Sequence, residues 1–142
     1  MKLIKNAVFM VTEKGETKPL RIYQRPHTPQ EITEGKEPPY HEATVATVLL
    51  NVVYAYQPNP QAGRVLDFKQ NRRMSKLLDA LELAIESEAD MILDDDLVAL
   101  AKQMVEWNTP YMAGAYRRHS GTLYDMLEKA ENAEAKAKAK EA

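Results

Sequence analysis

The chain has 142 residues, 44% of them hydrophobic and 28% charged, and it contains no cysteine. At that length roughly two-thirds of the unfolded chain's surface can be buried, so one ordinary domain builds a core without disulfides or a structural metal. The missing cysteines exclude disulfide scaffolds, zinc-finger and iron–sulfur sites and thiol chemistry. Nineteen basic and twenty-one acidic residues leave a net charge of −2, so non-specific nucleic-acid binding is not written into the total charge.

Residues Met1–Met10 place two lysines around a short apolar stretch but run on without a small-residue cleavage site, which does not describe a signal peptide. Seven of the eight prolines precede residue 61, so the two halves of the chain are expected to be built differently. Lys2–Thr12 and Thr17–Arg25 are apolar runs of strand length separated by Glu13-Lys14-Gly15-Glu16, and they predict a β-hairpin. Pro19 lacks an N–H and pushes the second strand to an edge or to a start beyond it. The stretch from Pro26 to Pro39 is too rich in proline for helix and too poor in apolar residues for a core strand. It reads as an extended arm or loop.

Ala43–Tyr56 carries Val45, Val48, Leu49, Val52, Val53 and Tyr56 at helical spacing, although its β-branched content favours strand. Its length and the failure of strict alternation at Val48-Leu49-Leu50 favour helix, ending before Gln57-Pro58-Asn59-Pro60. It is shorter than the roughly 20 residues that cross a bilayer, so no membrane span is expected. Asp67 caps a helix whose Met74, Leu77, Leu78, Leu81, Ala84 and Ile85 form one apolar stripe. Asp90–Leu93 is a short extended link, and a second amphipathic helix begins at Asp94-Asp95-Asp96 and runs to Trp107. The acids at its start are expected to satisfy free N–H groups and to oppose the positive end of the helix dipole. A third helix starts at Thr109-Pro110, with Thr109 as cap, breaks around Ser120-Gly121 and resumes through Leu123, Met126, Leu127 and Ala130. The Ala/Lys/Glu-rich end offers no large apolar residue to dock and reads as a frayed tail.

The densest acidic group, Asp94-Asp95-Asp96 with Glu86, Glu88 and Asp90 nearby, has carboxylates that suit calcium or magnesium but lacks the glycine and the trailing glutamate of a dedicated loop. A charge-stabilised helix start explains it more simply. His27, His41 and His119 stand far apart, and His41-Glu42 lacks further ligands at a metal-binding spacing. Neither a Gly-x-Ser-x-Gly elbow nor a glycine-rich phosphate loop occurs. No catalytic residue, metal site, cofactor or small-molecule substrate is therefore expected. An enzyme using His41, Glu42 or the Asp94 cluster ranks third among the functional readings.

Lys69, Arg72, Arg73 and Lys76 are more informative. Their spacing of i, i+3, i+4, i+7 puts them on one face at the start of the Asp67 helix, where cations oppose the helix dipole by a few tenths of a kcal/mol each. Contact with an acidic protein or with phosphate explains them, as does simple pairing with Leu77–Ala99, which holds eight acids and no base. Arg117-Arg118 adds a second basic pair. The seven tyrosines outnumber the other aromatic residues combined, and their apolar body and polar tip suit core edges and interfaces.

From Ala43 onward the order is an apolar helix (TVATVLLNVV), a basic amphipathic helix (RRMSKLLDALELA), a hydrophobic link into an acidic cap (MILDDDLVALAKQMV) and a closing helix (PYMAGAYRRHSGTLYDMLEKA). This layout resembles that of small phage-encoded helical accessory proteins of uncharacterised role. The resemblance implies a protein that works through contacts and defines no functional residue. The expected fold is α+β: a hairpin and proline-rich arm over 1–42, a helical domain of about four helices over 43–131 and a tail over 132–142. The expected function is non-enzymatic protein–protein interaction, in virion assembly or on a host protein, with self-association and a location in the cytoplasm or the virion. The contact residues would be Lys69, Arg72, Arg73, Lys76, Arg117 and Arg118. The alternative is nucleic-acid binding through the same residues.

Overall fold

A computed structural model describes residues 1–112 and 114–132. In chain order it contains β1 (Lys2–Ile4), β2 (Met10–Glu13), β3 (Glu16–Pro19), β4 (Arg21–Tyr23), α1 (Pro29–Glu34), β5 (Tyr40–Glu42), α2 (Val45–Tyr54), α3 (Phe68–Ser87), β6 (Met91–Leu93), α4 (Asp95–Asn108), α5 (Gly114–Arg118), α6 (Ser120–Glu128) and β7 (Glu131–Asn132). The α+β class holds, with small antiparallel sheets around a helical core.

The hairpin turn forms where it was expected. β2 and β3 pair from Met10↔Pro19 to Glu13↔Glu16, and Lys14 and Gly15 make the two-residue turn with φ of 51° and 79°. Two consecutive left-handed residues match the twist of the flanking strands, and glycine takes the second without a side-chain clash. The strands are shorter than the apolar runs that predict them. Lys2–Ile4 leaves the hairpin and becomes the centre of a sheet ordered β6-β1-β7, with Ile4 opposite Met91 and Lys2 opposite both Leu93 and Asn132.

Thr17–Arg25 also divides, because partners change at Leu20. Leu20 N–H donates to Phe9 O, Ala43 N–H donates to Leu20 O and Phe9 N–H donates to Ala43 O, at 2.9, 2.9 and 2.7 Å. All three residues are buried. Beyond this junction β4 pairs with β5, Ile22 opposite His41, so the two ends of the arm are strands of one hairpin.

The arm itself corrects the expectation of a helix-free segment. Pro29 occupies the start of α1, where its missing N–H costs nothing. Thr28 and Glu31 cap each other reciprocally: Glu31 N–H donates to the Thr28 hydroxyl and Thr28 N–H to the Glu31 carboxylate, at 3.2 and 2.9 Å. Gly35, at φ 69°, stops the helix after Glu34.

α2 resolves the ambiguity at Ala43–Tyr56 in favour of helix, capped by Thr44 and burying Val45, Ala46, Val48, Leu49, Val52 and Val53. α3 begins with a second capping box, Asp67 with Gln70, and buries Met74, Leu77, Leu81 and Ala84, while Leu78 and Ile85 are only half-buried. Asp94 makes no side-chain cap bond to α4; Leu97 and Val98 donate to its main-chain oxygen instead. Asp95 and Asp96 still oppose the dipole in the first turn. Thr109 does not cap the closing helix, because its hydroxyl donates to Val105 O and a 3-10 turn intervenes before α5. The later break falls at His119, one residue before the expected place. Among the described residues of 43–131, five α-helices form. The remainder of the expected tail, 133–142, lies outside the described residues.

One buried cluster runs from Ile4, Phe9, Val11 and Leu20 through α2 to Leu77, Leu81, Leu97, Met104, Leu123 and Leu127. Two asparagines supply polar ties to it. Asn108 is 1% exposed and its amide donates to Val52 O at 2.8 Å. The Asn6 amide donates to Ala84 O at 3.0 Å, its side-chain oxygen accepts from Ala46 N–H at 3.1 Å and its own N–H donates to Asp90 at 2.9 Å. Asn6→Ala leaves the buried Ala46 N–H without this partner, while the Ala84 carbonyl keeps the Glu88 and Ala89 N–H groups, so we expect a loss of about 2 kcal/mol. Urea unfolding checks it: the midpoint should fall with the slope unchanged.

Candidate interaction surface

The capping box of Asp67 and Gln70 starts α3 at Phe68, and this fixes which way the next two turns face. From Arg73 to Ser87 the helix carries the chain about 21 Å away. Glu88, left-handed at φ 52°, ends the helix, and the chain turns back through the short strand β6. The return includes β6, which pairs with β1, and it sets the start of α4 beside the start of α3.

The result is a recess of about 360 Å³ lined by Lys69, Arg72, Arg73 and Lys76 from α3 and by Asp94, Asp96 and Leu97 from the start of α4. The four expected stripe residues therefore share one site. Arg73 Nη2 lies 3.4 Å from Asp96 Oδ2, so one of the four is paired within the chain. Lys69, Arg72 and Lys76 make no ion pair among the described residues. Phe68 stands beside them 79% exposed, with the Arg72 guanidinium carbon 6.0 Å from its ring centre. The opposite charges of the stripe and of Leu77–Ala99 are legible in the sequence, whereas the exposure of Phe68 is not.

Arg117 and Arg118 lie outside this recess. Arg118 Nη1 is 3.6 Å from Glu13 on β2, which also receives Lys18 at 3.1 Å and His119 Nε2 at 3.1 Å. The Lys18 ammonium, then the His119 ring, hold the Glu13 carboxyl below its ordinary value of 4.5. His119 is buried, so this group ties the α5–α6 corner to the first hairpin. Glu13 and His119 are separated by 106 residues and carry no shared motif, so nothing in the sequence pairs them.

The other histidines do not meet. His27 packs against the Tyr23 ring at 5.6 Å between centroids, and His41 is exposed on β5. Asp94, Asp95 and Asp96 are exposed. Among the described residues no group of three or more histidine, aspartate or glutamate side chains is placed to hold a metal ion, and no helix is long and apolar enough to cross a membrane. No family model, no curated protein and no solved structure matches the chain.

The arm is held by charge and aromatic contact instead of burial. Arg25 binds Glu31 through two nitrogens at 2.6 and 3.0 Å, Arg21 reaches Glu37 at 2.8 Å, and Arg21 also lies 4.5 Å over the Tyr40 ring. The Arg25 guanidinium, then the Thr28 N–H, push the Glu31 carboxyl down from 4.5 to about 2. A carboxylate held low in the folded state stabilises the arm fully above its ordinary value and loses that contribution as it protonates. The arm should therefore stay ordered from neutral pH down to about 4.5 and loosen progressively toward about 2. Hydrogen exchange of the Thr28 and Glu31 amides across that range checks it.

Proposed function

We propose that the chain is a non-catalytic protein that binds another protein through the α3 face of Lys69, Arg72, Arg73 and Lys76, with Phe68 as the apolar anchor. The observation that carries this reading is a phenylalanine left 79% exposed beside Lys69, Arg72 and Lys76, which have no carboxylate partner among the described residues. Covering that ring is worth about 2 kcal/mol, and aromatic and arginine side chains together are the usual anchors of protein interfaces. The helix order of 43–131 adds the setting: a small phage-type accessory or structural protein, acting in the cytoplasm or the virion.

The second reading is nucleic acid, favoured by an aromatic ring set among cations, as in single-strand binders. Asp94 and Asp96 weigh against it, because they line the same recess and would face the phosphates.

A photocrosslinking residue at position 76, in the full chain produced in its native source, separates the two. Protease-sensitive adducts at 76, at least tenfold above those from a control at exposed Glu16, are the expected result. Nuclease-sensitive adducts, or none above the control, overturn the protein reading.

A further inference from the structure

We infer that the partner seated on this face is a second copy of the chain, in a two-fold pair in which Phe68 of each copy enters the α3–α4 recess of the other. This rests on the protein-binding reading and names its partner. In a two-fold interface each surface meets itself, so every residue that reaches a given site on the partner is answered by the reciprocal contact. A surface that binds itself through charge and a protruding ring therefore carries a positive and a negative patch, and a knob and a hole, on the same side of one molecule.

The α3–α4 face carries all four. Lys69, Arg72 and Lys76 form one wall of the recess and Asp94 and Asp96 the other, with Leu97, only 8% exposed, between them. Phe68, 79% exposed, precedes the basic wall in α3 on the same helix face as Arg72, whose guanidinium carbon lies 6.0 Å from its ring centre. A two-fold axis through the recess lays the basic wall of one copy on the acidic wall of the other twice over, and each Phe68 ring then comes to the other's apolar floor. An acidic segment of some other protein satisfies the basic wall but faces the aspartates with like charge. A basic segment has the opposite fault. The mixed wall is matched on both sides by its own copy turned half a revolution.

Sedimentation velocity of the full chain tests the pair. The wild type is expected to form a dimer that weakens as salt rises from 50 to 500 mM, roughly a threefold shortening of the Debye length. Phe68→Ala, at an exposed position, is expected to raise the dissociation constant at least tenfold at unchanged circular dichroism. Two charge-reversed variants supply the decisive arm: Lys69→Glu/Arg72→Glu/Lys76→Glu, with acid on both walls, and Asp94→Lys/Asp96→Lys, with base on both. Each is expected to be a monomer alone, and an equimolar mixture is expected to form a 1:1 heterodimer, because both halves of the mixed interface are again complementary. A wild type that stays monomeric at millimolar concentration, an unaltered dimer in Phe68→Ala, or folded variants that do not pair on mixing each overturn the inference. A monomeric wild type whose position-76 crosslinks carry a different protein leaves the protein-binding reading standing. A monomeric wild type without protein adducts removes both.

Discussion

Three segments remote in sequence meet on the side chain of Asn6: its oxygen takes the Ala46 N–H in the first turn of α2, and its amide serves the Ala84 carbonyl near the end of α3. Its own N–H is held by Asp90 just ahead of β6. Helix ends leave main-chain groups without intrahelical partners, and burying them unpaired costs more than the net worth of an ordinary hydrogen bond. One short amide side chain meets that requirement for the Ala46 N–H at the start of α2, and at the end of α3 it adds a third donor to the Ala84 carbonyl, which already accepts from the Glu88 and Ala89 N–H groups. It can do so only because β1 has placed the residue between them. The position of β6, and with it the start of α4, follows from the same anchor.

The α3–α4 recess is a consequence of that geometry. α3 is long, and the chain must return along it through an extended segment that pairs with β1 before another helix can begin. The return brings the acids of the α4 start to the bases of the α3 start. A net charge of −2 conceals this, since the opposite charges are segregated along the chain and become neighbours only after folding. The partial pairing of Arg73 with Asp96 is modest in energy, being exposed on the carboxylate side, but it shows the two patches lie on one face.

The arm is held differently. Nothing in α1 is buried, and its order rests on two capping contacts, the Arg25–Glu31 pair and the Arg21–Glu37 pair. Solvent-exposed ion pairs of this kind contribute little each, so the arm stands at the low-stability end of the molecule while its roots, β4 and β5, are tied to the core through Leu20 and Ala43.

Local physics was legible in the residues themselves. Helical spacing in Val45–Val53 and Met74–Ala84, the Asp67 cap, the Lys14-Gly15 turn and the proline asymmetry between the halves all follow from short-range sterics and hydrogen bonding, and they determined the α+β class. The stripe Lys69, Arg72, Arg73 and Lys76 was legible for the same reason, since a helix converts spacing into a common face. Thr28-Pro29-Gln30-Glu31 also carried its own cap, a local signal masked by the surrounding prolines. Tertiary structure alone decided that β1 leaves the hairpin for β6 and β7 and that Leu20 exchanges one strand partner for another. It also decided that Arg118 and His119 turn to Glu13 and that the stripe meets Asp94 and Asp96 across a recess. Each of these joins residues tens of positions apart, where no spacing rule operates and the partner is chosen by which groups the packed core leaves within reach.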